Sequence, residues 1–129
     1  MDRIGFDGSD LSYIATSIDK ASAVAAAETA KVVAKGALNI KTGAAKRISG
    51  LAHARRYPAS IDYDLYVTGR GAIADVGANK SKPQGALGNL LEYGSRKNPP
   101  HPHIRPAADE EMPRFEKAME DLAVKAIGL

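Results

Sequence analysis

The sequence contains no cysteine and no tryptophan, and aromatic residues make up only 5% of it. Without cysteine there is neither a disulfide framework nor a thiolate zinc site, and a cysteine nucleophile is excluded. The scarcity of rings leaves a core of Ala, Val, Ile and Leu, which bury less area per residue. A lone copy therefore has a thin core and is expected to draw part of its stability from neighbours. Long apolar runs are missing too. The most apolar stretch, Ala23 to Ala27, meets Glu28 and Lys31 well before the roughly 18 residues that a membrane span needs. The opening Met1-Asp2-Arg3-Ile4-Gly5 lacks the pattern of an export signal. What remains, 44% hydrophobic and 26% charged residues over 129 positions, is the balance of one globular domain spanning 1–129.

Charge is unevenly spread along the chain. Residues 1–40, 41–56, 57–105 and 106–129 carry net charges of −1, +5, +2 and −3, which together give the formal +3. The block 41–56 holds Lys41, Lys46, Arg47, Arg55 and Arg56 with His53 among them and no acid, whereas the C-terminal part opens with Asp109-Glu110-Glu111. A solvated basic face, with the acids complementing a helix N-terminus, is the plainest interpretation. Contact with nucleic acid, or with a neighbouring subunit through the acids, is the other.

Periodicity predicts an α+β fold. Leu11, Ile14, Ile18, Ala21, Ala25 and Val32 fall at helical spacing over 10–35, with Ser9 or Asp10 as cap and Gly36 as the stop. That helix would be about 39 Å long, close to the roughly 36 Å diameter expected of such a chain. A connection over 37–59 is predicted to hold a short helix capped by Thr42, with Ala44, Ile48 and Leu51 on one face, closed by Pro58. From Ser60 the period becomes two: Ile61, Tyr63, Leu65 and Val67 alternate with Asp62, Asp64 and Tyr66. A turn at 68–71 and a partner strand through Val76 complete an antiparallel hairpin over 60–77. The polar stretch 78–88 is expected to be a loop ordered mainly by neighbours. Residues 87–94 fit a short helix or a third strand equally well. Pro99, Pro100, Pro102 and Pro106 impose an extended arm on 95–105. The last helix begins near Pro106 with Met112, Phe115, Met119, Leu122 and Ala126 on one seam, and Pro113 should kink it or reset its start.

Patterns for chemistry are largely missing. Gly69-Arg70-Gly71 lacks the third glycine of a nucleotide loop, and Thr42-Gly43 to Lys46-Arg47 is no phosphate loop. His101 and His103 could share a face of an extended segment, but no third ligand stands near them, so structural or interface histidines are expected and no metal. Asp62 and Asp64 read as a solvated strand face, not an acid/base pair. Nothing resembles a nucleophile elbow. The expectation is a non-enzyme with no cofactor, no small-molecule substrate and no membrane partner.

The informative segment is Leu90-Leu91-Glu92-Tyr93-Gly94-Ser95, followed by Pro99-Pro100-His101-Pro102-His103-Ile104-Arg105-Pro106-Ala107. It resembles the small tail-completion or minor tail component proteins of long-tailed bacteriophages and prophages. In that family a Val-Glu-Tyr/Phe-Gly-Thr element precedes Pro-x-His-Pro-Phe-Leu-Arg-Pro-Ala and the last helix. Glu92, Tyr93, Gly94, Pro100, His101, Pro102, Arg105, Pro106 and Ala107 match. A second element, Lys41-Thr42-Gly43-Ala44-Ala45-Lys46-Arg47-Ile48, is similar to the family's Asp-Thr-Gly-x-Leu-Arg-x-Ser-Ile. The resemblance spans roughly 10–127, with His103 and Ile104 in place of Phe-Leu and Lys41 in place of the acid.

This resemblance implies a structural subunit of the neck, where head meets tail. It implies a homo-oligomeric ring, a hexamer by tail symmetry, located in the virion and assembled in the bacterial host cytoplasm. Its partners would be neighbouring connector and tail-terminator proteins, with packaged DNA passing non-specifically through the lumen. The expected contact residues are Glu92, Tyr93, Pro100, His101, Pro102, His103, Ile104, Arg105 and Pro106, with Arg47 meeting Asp109, Glu110 and Glu111 between subunits. Lys41, Lys46, Arg55 and Arg56 are candidates to face DNA. The alternative from another class is a sequence-independent nucleic-acid-binding module using 41–56, which lacks base-stacking aromatics and would bind only by salt-sensitive backbone attraction.

Overall fold

The computed structural model describes residues 23–69 and 71–128. The fold is α+β: α1 (Ala23–Arg47), a hairpin of β1 (Ile61–Thr68) and β2 (Gly71–Ala78), a short α2 (Gly88–Tyr93) and a long α3 (Ile104–Ala126). Single 3-10 turns at Pro58–Ser60 and Gly85–Leu87 enter β1 and α2. Among the described residues no helix is long and apolar enough to cross a membrane.

α1 is the hub, packing against α3 and against both strands. Two stripes on one helix accomplish this. Val33, Ala37, Ile40, Ala44 and Ile48 are buried at helical spacing. Gly36, Asn39 and Gly43 form a second stripe that meets Phe115, Glu111 and Ala107 of an antiparallel α3. A methyl on Gly36 would stand 3.0 Å from Phe115 Cδ2, and one on Gly43 3.4 Å from the Ala107 Cβ. The missing side chains let the helices approach closely, as ridge-and-groove packing requires.

This corrects the expected stop at Gly36. The helix runs a further eleven residues to Arg47, because close packing on α3 outweighs the roughly 1 kcal/mol by which glycine disfavours a helix interior. The separate helix capped by Thr42 does not exist, since Thr42 lies inside α1. The part of the predicted helix before Ala23, with Ser9 and Asp10, lies outside the described residues.

The hairpin is as predicted, with Ile61 opposite Ala78 and Thr68 opposite Gly71. α1 covers the face of β2 that carries Ala72, Ala74, Val76 and Ala78, all buried. The β1 side is less covered: Ile61 is buried, but Leu65 and Val67 on the same face are exposed.

The segment after β2 is held by its own chain. Asn79 N–H donates to Ser60 O and Gly85 N–H to Lys82 O. Gly85 lies so close to Asn79 that an added Cβ would fall 1.9 Å from its carbonyl oxygen. Gln84, at φ +61°, accepts from Arg56 N–H through Oε1 and donates from Nε2 to His53 O. The expectation that neighbours mainly order this loop overlooked these intrachain contacts.

Residues 88–93, open between helix and strand in the sequence, form α2. The arm 95–103 has no regular element, as the prolines dictate. In α3 the predicted seam is buried at Phe115, Met119 and Leu122 and half-buried at Met112 and Ala126. α3 continues through Pro113 without a new start.

Candidate functional site: a carboxylate-capped proline arm

The first turn of a helix leaves backbone N–H groups without partners, and a buried helix start must satisfy them. α3 starts in the interior: His103, Ile104, Ala107 and Ala108 are all buried. His103 supplies no side-chain cap of its own. Glu92, on α2, serves instead. Its carboxylate is itself buried and accepts from three successive amides: His103 N at 3.0 Å, Ile104 N at 2.9 Å and Arg105 N at 3.2 Å. The next residue is Pro106, which has no N–H to satisfy, and Ala107 N–H donates back to His103 O. Every first-turn donor is accounted for, with a negative charge at the positive end of the helix.

The loop between Glu92 and α3 is built to bring the two together. α2 ends at Gly94, whose φ of +74° favours glycine. A Cβ there would meet Pro100 N at 2.7 Å and Asn98 O at 2.8 Å. Ser95 and Asn98 close a tight turn through mutual backbone bonds, and His101 N–H returns to Leu91 O at 2.6 Å.

His103 is the second buried polar group. Its Nε2 accepts from the Tyr57 hydroxyl at 2.7 Å, and its Nδ1–H points to His101 O at 2.8 Å, with Glu92 Oε1 3.0 Å away. The carbonyl partner places a proton on Nδ1, and burial, which disfavours the imidazolium, leaves Nε2 to accept. Tyr57 meets the ring edge-on, at 5.2 Å between centroids. Burial pushes the His103 pKa down and the Tyr57 phenol up, the Glu92 charge adding to the latter. Tyr57 was not singled out in the sequence; its one mark there is its place before Pro58.

The expected contact residues divide accordingly. Glu92, His103 and Ile104 are interior and hold the arm. Tyr93, Pro100, His101, Pro102 and Arg105 are exposed, and Pro106 is half-buried. His101 and His103 do not come together as a ligand pair. Among the described residues there is no group of three His, Cys, Asp or Glu side chains that could hold a metal ion.

Several of the charged residues find partners within one chain. Arg47, expected to reach the acids of another subunit, pairs with Glu110 and also donates to Gly43 O at 3.2 Å. That contact holds the Glu110 carboxyl below its ordinary range. Glu111 is buried and accepts from Asn39 at 2.9 Å and from Arg114 at 2.7 Å. Asp109 is exposed.

Lys41 lies 3.9 Å from Asp62, which also pairs with Lys82 at 3.2 Å. Partial burial works to raise the Asp62 pKa, but bonds from Lys82 and Tyr63 N–H, with the Lys41 charge, outweigh it and hold it low. Lys46, Arg55 and Arg56 are exposed.

An apolar groove of about 300 Å³ lies beside the arm, lined by Leu51, Ala54, Leu87, Leu90, Leu91 and Pro99 with His53 and His101. A second depression, of about 270 Å³, follows the α1–α3 seam at Lys35, Gly36, Arg114 and Phe115. No family model matches the chain, and no curated protein and no solved structure matches it.

Proposed function

We propose that the chain is a structural subunit of the head-tail neck of a long-tailed bacteriophage, a copy in a ring around the DNA channel that joins tail to head. The observation that carries this reading is the meeting of the two sequence elements that resemble the tail-completion family. Gly43, from the first, lies against Ala107, from the second. Within the second, Glu92 bonds the amides of 103–105. Residues separated by half the chain thus form one packing unit, as a shared fold would require of them. The unit does structural work. It fixes an exposed edge, Tyr93 to Pro102, on a rigid base.

Lys46, Arg55 and Arg56 would supply the ring with a belt of positive charge. Such a belt attracts phosphates without reading bases and weakens as salt rises. Lys41, tied to Asp62, contributes less to it.

Depletion of the chain during phage growth tests the assignment. Expected are DNA-filled heads and finished tails that fail to join, with joining restored by supplying the chain. Fully joined, infectious particles made in its absence would overturn it.

A further inference from the structure

We infer that Arg96 and Lys97, at the tip of the proline arm, act with Arg55 and Arg56 as one cationic surface that holds the phosphate backbone of duplex DNA without reading its bases. This rests on the reading above in taking DNA as the polyanion. It adds to the proposed belt a second segment, far from the first in the sequence.

The fold brings the two stretches together. Ala52, His53 and Ala54, from the loop after α1, line the same groove as Asn98, Pro99 and His101, from the arm. Arg55 and Arg56 follow directly on the first set, and Arg96 and Lys97 precede the second. Arg96 and Lys97 are the two central residues of the turn that Ser95 and Asn98 close. All four cations are exposed, and among the described residues none of them forms an ion pair.

The carboxylates that could neutralise them are elsewhere. Residues 29–61, 76–91 and 93–108 contain no acid. The single acid of α2 and the arm is Glu92, which is 3% exposed and turned onto the amides of α3. The exposed acids Asp109, Glu116 and Glu120 all lie on α3. Positive potential therefore accumulates where the two stretches meet.

Both stretches have fixed backbones. Ala54 N–H donates to Leu51 O and Tyr57 N–H to Ala54 O, while Gln84 bonds both Arg56 N–H and His53 O. Ser95 and Asn98 are joined by two backbone bonds and by Asn98 Nδ2 donating to Ser95 Oγ at 3.2 Å. The cations thus stand on rigid supports, and binding need not order the chain that carries them. Exposed cations gain little from single carboxylates, because water and salt screen the pair. Against the dense charge of a duplex each one releases a condensed counterion, so four of them add up. That difference favours DNA over an acidic protein. Contacts to phosphate carry no sequence information.

The test is fluorescence anisotropy of the purified chain with two labelled duplexes of unrelated sequence, each about 20 base pairs, over about 20 to 200 mM NaCl. Both duplexes should bind equally, with a log–log salt slope of about 0.9 for each phosphate neutralised. Arg96→Ala with Lys97→Ala, and separately Arg55→Ala with Arg56→Ala, should each lower that slope by about 1.8 and weaken binding at about 50 mM salt tenfold or more. Lys117→Ala with Lys125→Ala removes the same charge from exposed positions on α3 and should leave the slope unchanged. Urea midpoints equal to that of the unmodified chain show that the variants keep the fold, and Arg96→Gln with Lys97→Gln replaces the arm pair if its midpoint falls. No binding at the lowest salt, a slope that the arm pair does not change, or an equal loss from the α3 pair would overturn the proposal. Tighter binding of polyglutamate of equal charge than of either duplex would also overturn it, and would make an acidic protein the partner. Because the purified chain and bare DNA suffice, failure here leaves head-tail joining standing. A chain that binds as expected but is not needed for joining would fail only as a neck protein.

Discussion

Replacing Glu92 by alanine withdraws the acceptor from three backbone donors at once. Two belong to residues that are essentially inaccessible, His103 at 0% and Ile104 at 2% exposure, so water cannot substitute. A buried donor left unsatisfied costs about 1–3 kcal/mol. The lost charge at the helix N-terminus adds about 0.3–1 kcal/mol. Relief from burying the carboxylate itself offsets part of this. The net expectation is a loss of about 3 kcal/mol, a large share of the roughly 5–15 kcal/mol that holds a domain together.

Glu92→Gln keeps one acceptor oxygen but turns an amide N–H₂ toward other donors, and should cost about half as much. In urea, with a slope of about 1–3 kcal/mol/M, the alanine variant should unfold between 1 and 3 M earlier, read by far-UV circular dichroism. Amide exchange at 103–105 should accelerate beyond the global change. A loss under about 1 kcal/mol, or unchanged relative exchange at His103 and Ile104, would refute the capping role.

His103 gives a pH dependence of definite sign. Its unfolded imidazole takes a proton near 6.5, while the folded one resists it. The unfolded state therefore binds more protons, and stability falls as pH drops below about 6.5. A His103→Asn variant should flatten the urea midpoint between about pH 7 and pH 5; a slope identical to that of the unmodified chain would count against the buried neutral ring. Gly36→Ala should destabilise by about 1 kcal/mol despite better helix propensity, since its methyl would press on Phe115. Pairing it with Phe115→Leu should recover the loss in thermal melts, and additive losses would contradict the close approach. Gly94→Ala should cost about 2–3 kcal/mol, more than Gly36→Ala, because its neighbours are backbone atoms and Pro100 that cannot rotate away.

The elements legible in the sequence were those with local causes. The hairpin followed from strict alternation over Ile61 to Val67, the arm from four prolines, and the last helix from its Phe115-Met119-Leu122 seam. What escaped was set by contacts distant in sequence. Gly36 has the residue type of a helix stop, and only Phe115, 79 positions on, makes it a packing glycine. Short-range periodicity cannot tell the two roles apart.

The site shows the same division. Glu92 and the prolines could be picked out as a segment that matters, but an acid beside Tyr93 and Gly94 looks like a surface acid. Its burial follows from three amides eleven to thirteen residues later. His103 likewise looked like an interface residue until Tyr57 closed over it. The segregation of charge was legible, while the pairing of Arg47 with Glu110 inside one chain depended on the antiparallel packing of α1 on α3.

The neck assignment is tested most directly by an electron cryomicroscopy map of the head-tail joint in particles that carry the chain. Expected is a hexameric ring around the DNA channel, each copy showing the α1–α3 pair and the arm from Glu92 to Ala107. A joint with a single copy, an asymmetric cluster, or no density for this fold would contradict it.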